Sequence, residues 1–279
     1  MTSPSPAACL IGWPARHSRS PKLHGYWLER YRIDGRYGFE EVPPDAFAEF
    51  VTHLREHGYV GANVTMPHKE MAFALSEPDA RATAVGAANT LWFEDGRLKS
   101  TNTDIEGFLG SLDAAAKGWD ERTRHAVVLG AGGASRAVIY GLIERGIDRI
   151  TVVNRSHDKA IAVADAFGPS VAGARWADLS DHLAGADLLV NSTSLGMKGE
   201  APLVIEIAGL APTAVVSDIV YVPLTTPLLA AARARGHATA NGLDMLLHQA
   251  VRGFELWFGV RPEVTQDQFD LLAADIEPA

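Results

Sequence analysis

The chain has 279 residues, of which 47% are hydrophobic and 21% charged, and these values are typical of a globular protein with two domains. Its formal net charge of −9 argues against nucleic acid or an anionic membrane as a partner, because such binding depends on concentrated Lys and Arg. The one cysteine, Cys9, excludes an intrachain disulfide framework, and the spacing of the His residues predicts no metal site.

No segment approaches the roughly 20 apolar residues that cross a bilayer. Residues 1–6 also lack the basic start of a secretory signal peptide. We therefore expect no membrane partner and a reducing, cytoplasmic location.

Strand-like and helix-like segments alternate in the first part of the chain. Candidate strands cover residues 8–11, 37–42 and 60–64, and candidate helices cover 21–31, 45–57 and 67–75. A pair of strands near 89–93 and 98–100 and a helix over 104–116 follow. This alternation predicts a mostly parallel sheet covered by helices.

A polar linker at residues 118–124 leads into a second alternating series. Its candidate strands cover 126–129, 149–153, 187–191, 215–219 and 237–239, and its candidate helices cover 136–145, 160–167 and 227–235. The series is typical of a doubly wound, Rossmann-type sheet. The predicted class is α/β, with domains at 1–104 and 105–240 and with C-terminal helices at 241–279 that return to the first domain, leaving a cleft between the two.

A glycine-rich turn follows the strand at 126–129. The turn reads Gly130-Ala131-Gly132-Gly133-Ala134-Ser135, with Ser135 where a dinucleotide-binding motif usually has its third glycine. Gly130 and Gly132 permit a positive φ and close backbone approach, and the start of the next helix offers unpaired N–H groups to an anion. The turn therefore predicts a pyrophosphate site.

The next strand ends in Asn154-Arg155-Ser156, where an NAD-binding unit carries an acidic residue for the ribose hydroxyls. A guanidinium at this place can pair with a 2′-phosphate and stack on adenine, whereas a carboxylate would repel the phosphate. The predicted cofactor is therefore NADP rather than NAD.

Two polar segments in the first domain stand at junctions between a strand and a helix, which is where α/β sheets bind ligands. The first runs from Asn63 to Lys69, and its Asn63 and Thr65 side chains point the same way on an extended segment. The second is Asn102-Thr103-Asp104, in which Asp104 caps the following helix or faces the ligand.

Nine segments resemble, in the expected order, the motifs of the shikimate dehydrogenase family. They cover residues 12–21, 63–69, 86–90, 102–104, 130–134, 154–155, 191–193, 218–221, and 241–243 with 249–250. The resemblance implies NADPH-dependent, reversible reduction of 3-dehydroshikimate to shikimate in the biosynthesis of aromatic amino acids. It leaves a monomer or a homodimer open.

The resemblance also implies roles for individual residues. Lys69 and Asp104 are the expected catalytic pair. The expected substrate contacts, besides that pair, are Ser18, Ser20, Asn63, Thr65, Asn89, Tyr221 and Gln249. The expected cofactor contacts are Gly130, Ala131, Gly132, Gly133, Ala134, Asn154, Arg155, Ser156, Ser192, Thr193, Ile219 and Gly242.

Two alternatives stay open at this point. One is a quinate/shikimate dehydrogenase of broader specificity, because relatives that accept quinate share most of these motifs. The other is a non-catalytic NADP-binding sensor module, which would have no reason to retain Lys69 and Asp104 beside a pocket lined with hydroxyl-binding groups.

Overall fold

The computed structural model describes residues 5–276, which divide into two units. Unit 1 comprises the described residues up to Thr103 together with Gln249–Leu272, and unit 2 comprises Asp104–His248 with the residues that follow Leu272. Each unit contains one six-stranded sheet with helices, so the predicted α/β class is confirmed. Within residues 5–276, no helix is both long enough and apolar enough to cross a bilayer.

Unit 1 is built on a mixed sheet. Its strands are β1 (Ala7–Gly12), β2 (Arg36–Glu41), β3 (Gly61–Val64), β4 (Glu77–Pro78), β5 (Thr90–Glu94) and β6 (Arg97–Thr101). The helices between them are α1 (Ser20–Arg30), α2 (Phe47–Thr52), α3 (Lys69–Ala74) and α4 (Ala80–Val85). The strand order is β2-β1-β3-β5-β6-β4, and β5 runs antiparallel to both of its neighbours while the other pairs are parallel.

The antiparallel pair has a local cause in the sequence. Asp95 and Gly96 join β5 to β6 with φ of 50° and 79°, the combination that a two-residue type I′ hairpin requires and that Asp-Gly favours. The hairpin sets Thr90 opposite Thr101, and Thr90 is also opposite Asn63 of β3. The start of β5 therefore meets the ends of β3 and β6 at one edge of the sheet.

Unit 2 has a fully parallel sheet. Its strands are β7 (Ala126–Leu129), β8 (Ile150–Asn154), β9 (Val171–Arg175), β10 (Leu188–Asn191), β11 (Val215–Asp218) and β12 (Ala238–Asn241), in the order β12-β11-β10-β7-β8-β9. Every residue of β7, β10 and β11 is buried, as expected where helices cover both faces of a parallel sheet. The strand order reverses beside β7, where open α/β sheets bind their ligands.

The remaining helices follow in chain order. They are α5 (Asp104–Ala115), α6 (Trp119–Arg122), α7 (Gly133–Glu144), α8 (His157–Phe167), α9 (Leu179–Leu183), α10 (Pro227–Ala234), α11 (Gly242–Phe258) and α12 (Gln266–Ala273). The helix α11 is continuous, and its residues from Gln249 onward belong to unit 1.

Several elements differ from the sequence-based expectations. The helix expected over 45–57 is shorter, and the segment expected as a linker at 118–124 contains α6, whose Trp119 is buried and donates from Nε1 to Asp113 at 2.9 Å. The sequence analysis also missed β4, α4, α9 and β9. In β9, Gly173 lies so close to the backbone of α8 that a Cβ would be 2.7 Å from the nitrogen of Ile161, a constraint that no local pattern reveals.

The packing of α11 on the sheet of unit 1 depends on a glycine, Gly61, which has no side chain. The indole of Trp257 covers Gly61 and donates from Nε1 to the carbonyl oxygen of Leu91 at 2.8 Å. A Cβ on Gly61 would overlap both the indole and that carbonyl oxygen. A side chain at position 61 therefore displaces Trp257 from the sheet.

We expect Gly61→Ala to lower the free energy of unfolding by about 1–3 kcal/mol, because the added methyl group overpacks a rigid site. Gly38→Ala is the matched control in the same sheet, since a Cβ there meets no atom within 4 Å. Urea denaturation of both variants measures the difference. Equal unfolding free energies for the two variants would contradict this account.

Candidate functional site

Four polar side chains form a hydrogen-bonded network at one edge of the unit 1 sheet. We call this group the polar edge, and its members are Asn63, Asn89, Thr90 and Thr103. They come from the end of β3, the start of β5 and the segment after β6, which the sheet topology brings together. Asn89, Thr90 and Thr103 are buried, whereas Asn63 is half-buried.

The amide of Asn63 has a defined orientation. Its Nδ2 donates to the carbonyl oxygen of Asn89 at 3.2 Å and to Oγ1 of Thr90 at 3.1 Å. Its Oδ1 accepts from the hydroxyl of Tyr37 at 2.7 Å. Because both N–H groups have protein acceptors, a lone pair on Oδ1 is what this amide can offer to a ligand.

Asn89 organises the neighbouring strand ends. Its Oδ1 accepts from the backbone nitrogen of Thr103 at 2.8 Å and from Oγ1 of Thr103 and of Thr90, each at 3.1 Å. Asn102 donates in turn to the carbonyl oxygen of Ala87 at 3.0 Å. These bonds fix the backbone that leads directly into Asp104.

The loop after β1 is held against the same edge. A Cβ on Gly12 would be 2.5 Å from Cγ2 of Thr65, so this loop approaches Thr65 closely. Ser18 donates to Oγ of Ser20 at 3.1 Å and accepts from the Ser20 backbone nitrogen at 3.2 Å, at the first residue of α1. Strand ends, loops and the first residue of α1, all in unit 1, therefore carry the polar residues Ser18, Ser20, Asn63, Thr65 and Asn89.

A salt bridge fixes the other side of this loop. Arg16 pairs with Glu41 at the end of β2, and Glu41 also accepts from the backbone nitrogen of Ala15 at 3.2 Å. These hydrogen bonds, led by that from the Arg16 side chain, lower the pKa of Glu41 to about 2. The carboxylate is therefore ionised at neutral pH and acts as an anchor for residues 15 and 16.

The expected catalytic residues begin two helices. Lys69 is the first residue of α3 and is half-buried. The preceding His68 is buried, and its ring stacks on that of Phe47 with centroids 4.3 Å apart. Its Nε2 lies 2.8 Å from the carbonyl oxygen of Val42. Asp104 is the first residue of α5 and is 8% exposed. It therefore lies within the first turn of α5 rather than before it. Gln249 is half-buried in α11.

The glycine-rich turn of unit 2 follows β7. Gly130 has a φ of 107°, as predicted, and a Cβ there would be 2.9 Å from Oγ of Ser192. The prediction of a positive φ at Gly132 is wrong, because its φ is −100°. Gly132 and Gly133 are exposed, and a Cβ on either meets no protein atom within 4 Å, so their backbone is open to a ligand.

Ser135 replaces the third glycine of the motif without strain. Its side chain is buried and donates to the carbonyl oxygen of Gly132 at 2.6 Å. Ala131 and Ala134 are half-buried beside the turn. The hydroxyl of Ser135 thus closes the turn from inside, a role that a glycine could not fill.

A buried carboxylate holds two further loops of unit 2. Oδ1 of Asp218 accepts from Nδ2 of Asn191 at 2.9 Å and from the backbone nitrogen of Val220 at 3.1 Å, and Oδ2 accepts from Oγ1 of Thr226 at 2.7 Å. Burial raises the pKa of Asp218, although these hydrogen bonds act in the opposite direction. Removing this carboxylate would release the segments after β10 and after β11 together.

The residues expected to bind the cofactor lie on these loops. Thr193 donates from its backbone nitrogen at 3.1 Å and from Oγ1 at 2.7 Å to Oδ1 of Asn191, and Ser192 donates to the carbonyl oxygen of Leu129 at 2.6 Å. Gly242 lies against the backbone of Ile219, so no side chain fits at this position. Tyr221 is half-buried two residues beyond Ile219.

The end of β8 carries the residues expected to recognise a 2′-phosphate. Asn154 donates from Nδ2 to the carbonyl oxygen of Ser156 at 2.9 Å, which shapes the turn before α8. The side chains of Arg155 and Ser156 are exposed. Gly130, Asn154, Ser192 and Ile219 thus stand at the carboxyl ends of four adjacent strands, β7, β8, β10 and β11 respectively.

Sequence reasoning missed three residues that the structure brings into these networks. The sequence analysis did not identify Tyr37, Thr226 or Trp257 as a site residue. Each acts on a residue at least eight positions away in the chain, so local spacing carried no signal for them. Among residues 5–276, no group of three or more His, Cys, Asp or Glu side chains is arranged to hold a metal ion.

Three family models match most of the chain. Residues 10–91 match the shikimate dehydrogenase substrate binding domain, residues 113–198 match shikimate/quinate 5-dehydrogenase, and residues 242–266 match the shikimate 5′-dehydrogenase C-terminal domain. The matched ranges include the polar edge up to Thr90, the glycine-rich turn and the start of α11.

Individual relatives agree with these models. The chain is 63% identical over 278 residues to a shikimate dehydrogenase (NADP(+)) of Rhodopseudomonas palustris strain TIE-1, covering 100% of both chains. It resembles the structure of shikimate 5-dehydrogenase from Thermus thermophilus in complex with NADP(H) and shikimate, with a TM-score of 0.85, 32% identity, and 98% and 100% of the two chains covered. It also resembles a quinate dehydrogenase from Corynebacterium glutamicum in complex with NAD, with a TM-score of 0.87, 30% identity, and 97% and 99% covered.

We expect the stability of the protein to depend on pH through His24. This side chain is fully buried against Tyr37, and desolvation lowers its pKa from 6.5 to about 3. Because the unfolded chain binds the proton more readily, stability from the neutral ring is complete above pH 6.5 and is lost as the pH falls towards 3.

We expect His24→Phe to flatten this dependence. Between pH 7 and pH 4 the parent protein should lose on the order of 3 kcal/mol more unfolding free energy than the variant. Urea denaturation at several pH values in this window measures the two slopes. Parallel profiles for parent and variant would show that His24 is not the responsible group.

Proposed function

This chain belongs to the shikimate dehydrogenase family, and we propose that it catalyses the reversible, NADP-dependent reduction of 3-dehydroshikimate to shikimate. The observation that carries the proposal is the 63% identity to an NADP(+) shikimate dehydrogenase over the whole of both chains. The chain is accordingly an NADP-dependent oxidoreductase of aromatic amino acid biosynthesis.

Lys69 and Asp104 form the catalytic pair of this proposal. Hydride transfer to a ketone carbon leaves negative charge on its oxygen, so a cation or proton donor at that oxygen stabilises the transition state more than the ground state. Lys69 supplies the ammonium, and its place at the start of α3, next to the anchored His68, supports the role. Asp104 orients the ammonium and accepts a hydrogen bond from a hydroxyl of the substrate.

Polar residues, all but Tyr221 and Asp104 in unit 1, recognise the substrate in this proposal. Shikimate carries hydroxyl groups and a carboxylate, and hydroxyl and amide side chains suit both. The assigned contacts, besides the catalytic pair, are Ser18, Ser20, Asn63, Thr65, Asn89, Tyr221 and Gln249. The support is that the first five of them lie on strand ends, loops and the start of α1 in unit 1 and that Asn63 and Asn89 are oriented by the protein.

NADP is the cofactor, and we assign its contacts to unit 2. The open backbone at Gly132 and Gly133 and the start of α7 suit a pyrophosphate. Arg155, on a turn shaped by Asn154, is the partner for the 2′-phosphate. The other assigned contacts are Gly130, Ala131, Ala134, Ser156, Ser192, Thr193, Ile219 and Gly242.

The wider setting of the chain is also part of the proposal. Residues 1–104 bind substrate, residues 105–240 bind NADP, and residues 241–279 add C-terminal helices to the substrate domain. The protein acts in the cytoplasm as a monomer or a homodimer. It has no nucleic-acid partner, for which the net charge of −9 is the support.

One pair of assays tests the proposal against its alternatives. Pure protein with NADP and shikimate should form NADPH, whereas quinate at equal concentration should react far more slowly. Comparable rates with quinate would favour a quinate/shikimate dehydrogenase of broader specificity. The similarity to the quinate dehydrogenase structure from Corynebacterium glutamicum is the reason to test this alternative. Binding of NADP without turnover of either substrate would favour the sensor module.

We expect Lys69→Ala to lower kcat by about 10²- to 10⁴-fold while NADPH still binds, because the variant loses the group that stabilises the developing oxyanion. Steady-state kinetics and NADPH fluorescence measure the two properties. Lys99→Ala, which removes an ammonium paired with Glu77 elsewhere in unit 1, is the matched control. Unchanged turnover in the Lys69 variant would remove this residue from the mechanism.

We expect Arg155→Asp to raise KM for NADP at least about tenfold more than KM for NAD, since it replaces a phosphate partner with a like charge. Arg235→Asp makes the same change of charge at an exposed ion pair of unit 2 and should affect neither cofactor. Initial rates with both cofactors provide the comparison. Equal losses for NADP and NAD would show that Arg155 does not discriminate between them.

A further inference from the structure

We propose that Tyr37 is a positioning residue that holds the Asn63 amide as a hydrogen-bond acceptor for a hydroxyl of the substrate. This inference deepens the proposed function and rests on it. Tyr37 lies near the start of β2, and Asn63 lies on β3, two strands away across β1. The phenol reaches over β1 to join them.

The hydrogen bonds of Asn63 leave one role for its amide. Both N–H groups of Nδ2 are directed at protein acceptors, the carbonyl oxygen of Asn89 and Oγ1 of Thr90. The phenol of Tyr37 occupies one lone pair of Oδ1 at 2.7 Å, and a carbonyl oxygen has a second. An amide held in this way accepts a hydrogen bond from a hydroxyl, and it cannot donate to a carbonyl or carboxylate without breaking its bonds to the protein.

Tyr37 is itself fixed by aromatic packing. Its ring stacks on His24, with centroids 4.0 Å apart and planes 18° apart, and it lies 5.8 Å from the ring of Trp257. Trp257 occupies the space that the absent side chain of Gly61 leaves. The phenol therefore has little freedom to turn away from Asn63.

The protonation of Tyr37 favours the same arrangement. Desolvation is the main cause that raises its pKa above the ordinary value of 10. The phenol consequently keeps its proton throughout the neutral range and remains a donor to Oδ1. An ionised phenolate at this place would instead repel the amide oxygen.

The Tyr37→Phe variant separates this role from simple packing, because Phe keeps a ring that can stack on His24. One lost hydrogen bond should raise KM for shikimate about three- to tenfold. KM for NADP and kcat should stay within about twofold of the parent values, since neither depends on how the Asn63 amide is oriented before substrate binds. Tyr31→Phe is the matched control, because its hydroxyl accepts from the Glu263 backbone nitrogen at 3.0 Å and does not touch the polar edge.

A double-mutant cycle tests whether Tyr37 acts through Asn63. Asn63→Ala alone should raise KM for shikimate, and adding Tyr37→Phe should then cause no further rise. If the rise in KM of the double variant equals the product of the rises in the two single variants, Tyr37 acts independently of Asn63 and the inference is overturned. An unchanged KM in Tyr37→Phe, or a rise matched by Tyr31→Phe, would also overturn it.

A measurement without substrate distinguishes this inference from the proposed function. The side-chain amide protons of Asn63, assigned by their loss in Asn63→Ala, can be followed by NMR in ¹⁵N-labelled protein. Tyr37→Phe should shift these resonances and speed their exchange with water, whereas Tyr31→Phe should leave them in place. If the parent protein does not oxidise shikimate, the proposed function fails, and unmoved resonances in Tyr37→Phe would separately refute the positioning role.

Discussion

The absent side chain at Gly61 is the constraint on which the arrangement of unit 1 depends. It lets Trp257 of α11 lie on β3 and donate to Leu91, and Trp257 helps to confine the ring of Tyr37. Tyr37 in turn holds the Asn63 amide at the end of the same strand. The close packing of Trp257 on Gly61 is thus connected, through the ring of Tyr37, to the Asn63 amide that we propose binds substrate. Small changes of core volume in this region should therefore be felt at the site as well as in stability.

Unit 2 uses a buried carboxylate for a comparable purpose. Asp218 has 1% exposure and collects donors from Asn191, Val220 and Thr226, so the loops after β10 and β11 are held by one side chain. Its desolvation cost is offset only while those donors stay in place. In both units, polar groups with several protein hydrogen-bond partners support the backbone, whereas Asn63, whose Oδ1 has one protein donor, is half-buried. This division suits sites that must be rigid before a ligand arrives.

Sequence reasoning succeeded where the signal is local. The parallel series of unit 2 and the positive φ of Gly130 follow from hydrophobic runs and from glycine chemistry within a few residues. It failed at Gly132, because an exposed glycine can be required by a ligand's approach rather than by its own φ. The network of Tyr37, Asn63 and Thr90 was not predictable, since its two hydrogen-bonded pairs are 26 and 27 positions apart and meet only through strand pairing. Resemblance to the family placed Asn63 among the site residues but gave no information on what orients it.

The charge of the chain explains why groups in direct contact with a ligand matter so much. Both proposed ligands are anionic, whereas the protein carries a formal charge of −9. At physiological ionic strength the field of distant carboxylates is screened beyond about 8 Å, so the net charge costs little once a ligand is bound. Affinity must then come from groups within hydrogen-bond reach: the helix start beside Gly133, the guanidinium of Arg155 and the oriented amide of Asn63. Neutral donors and acceptors that are already in place avoid the cost of desolvating further charges. The fixed orientation of the Asn63 amide therefore bears directly on substrate affinity.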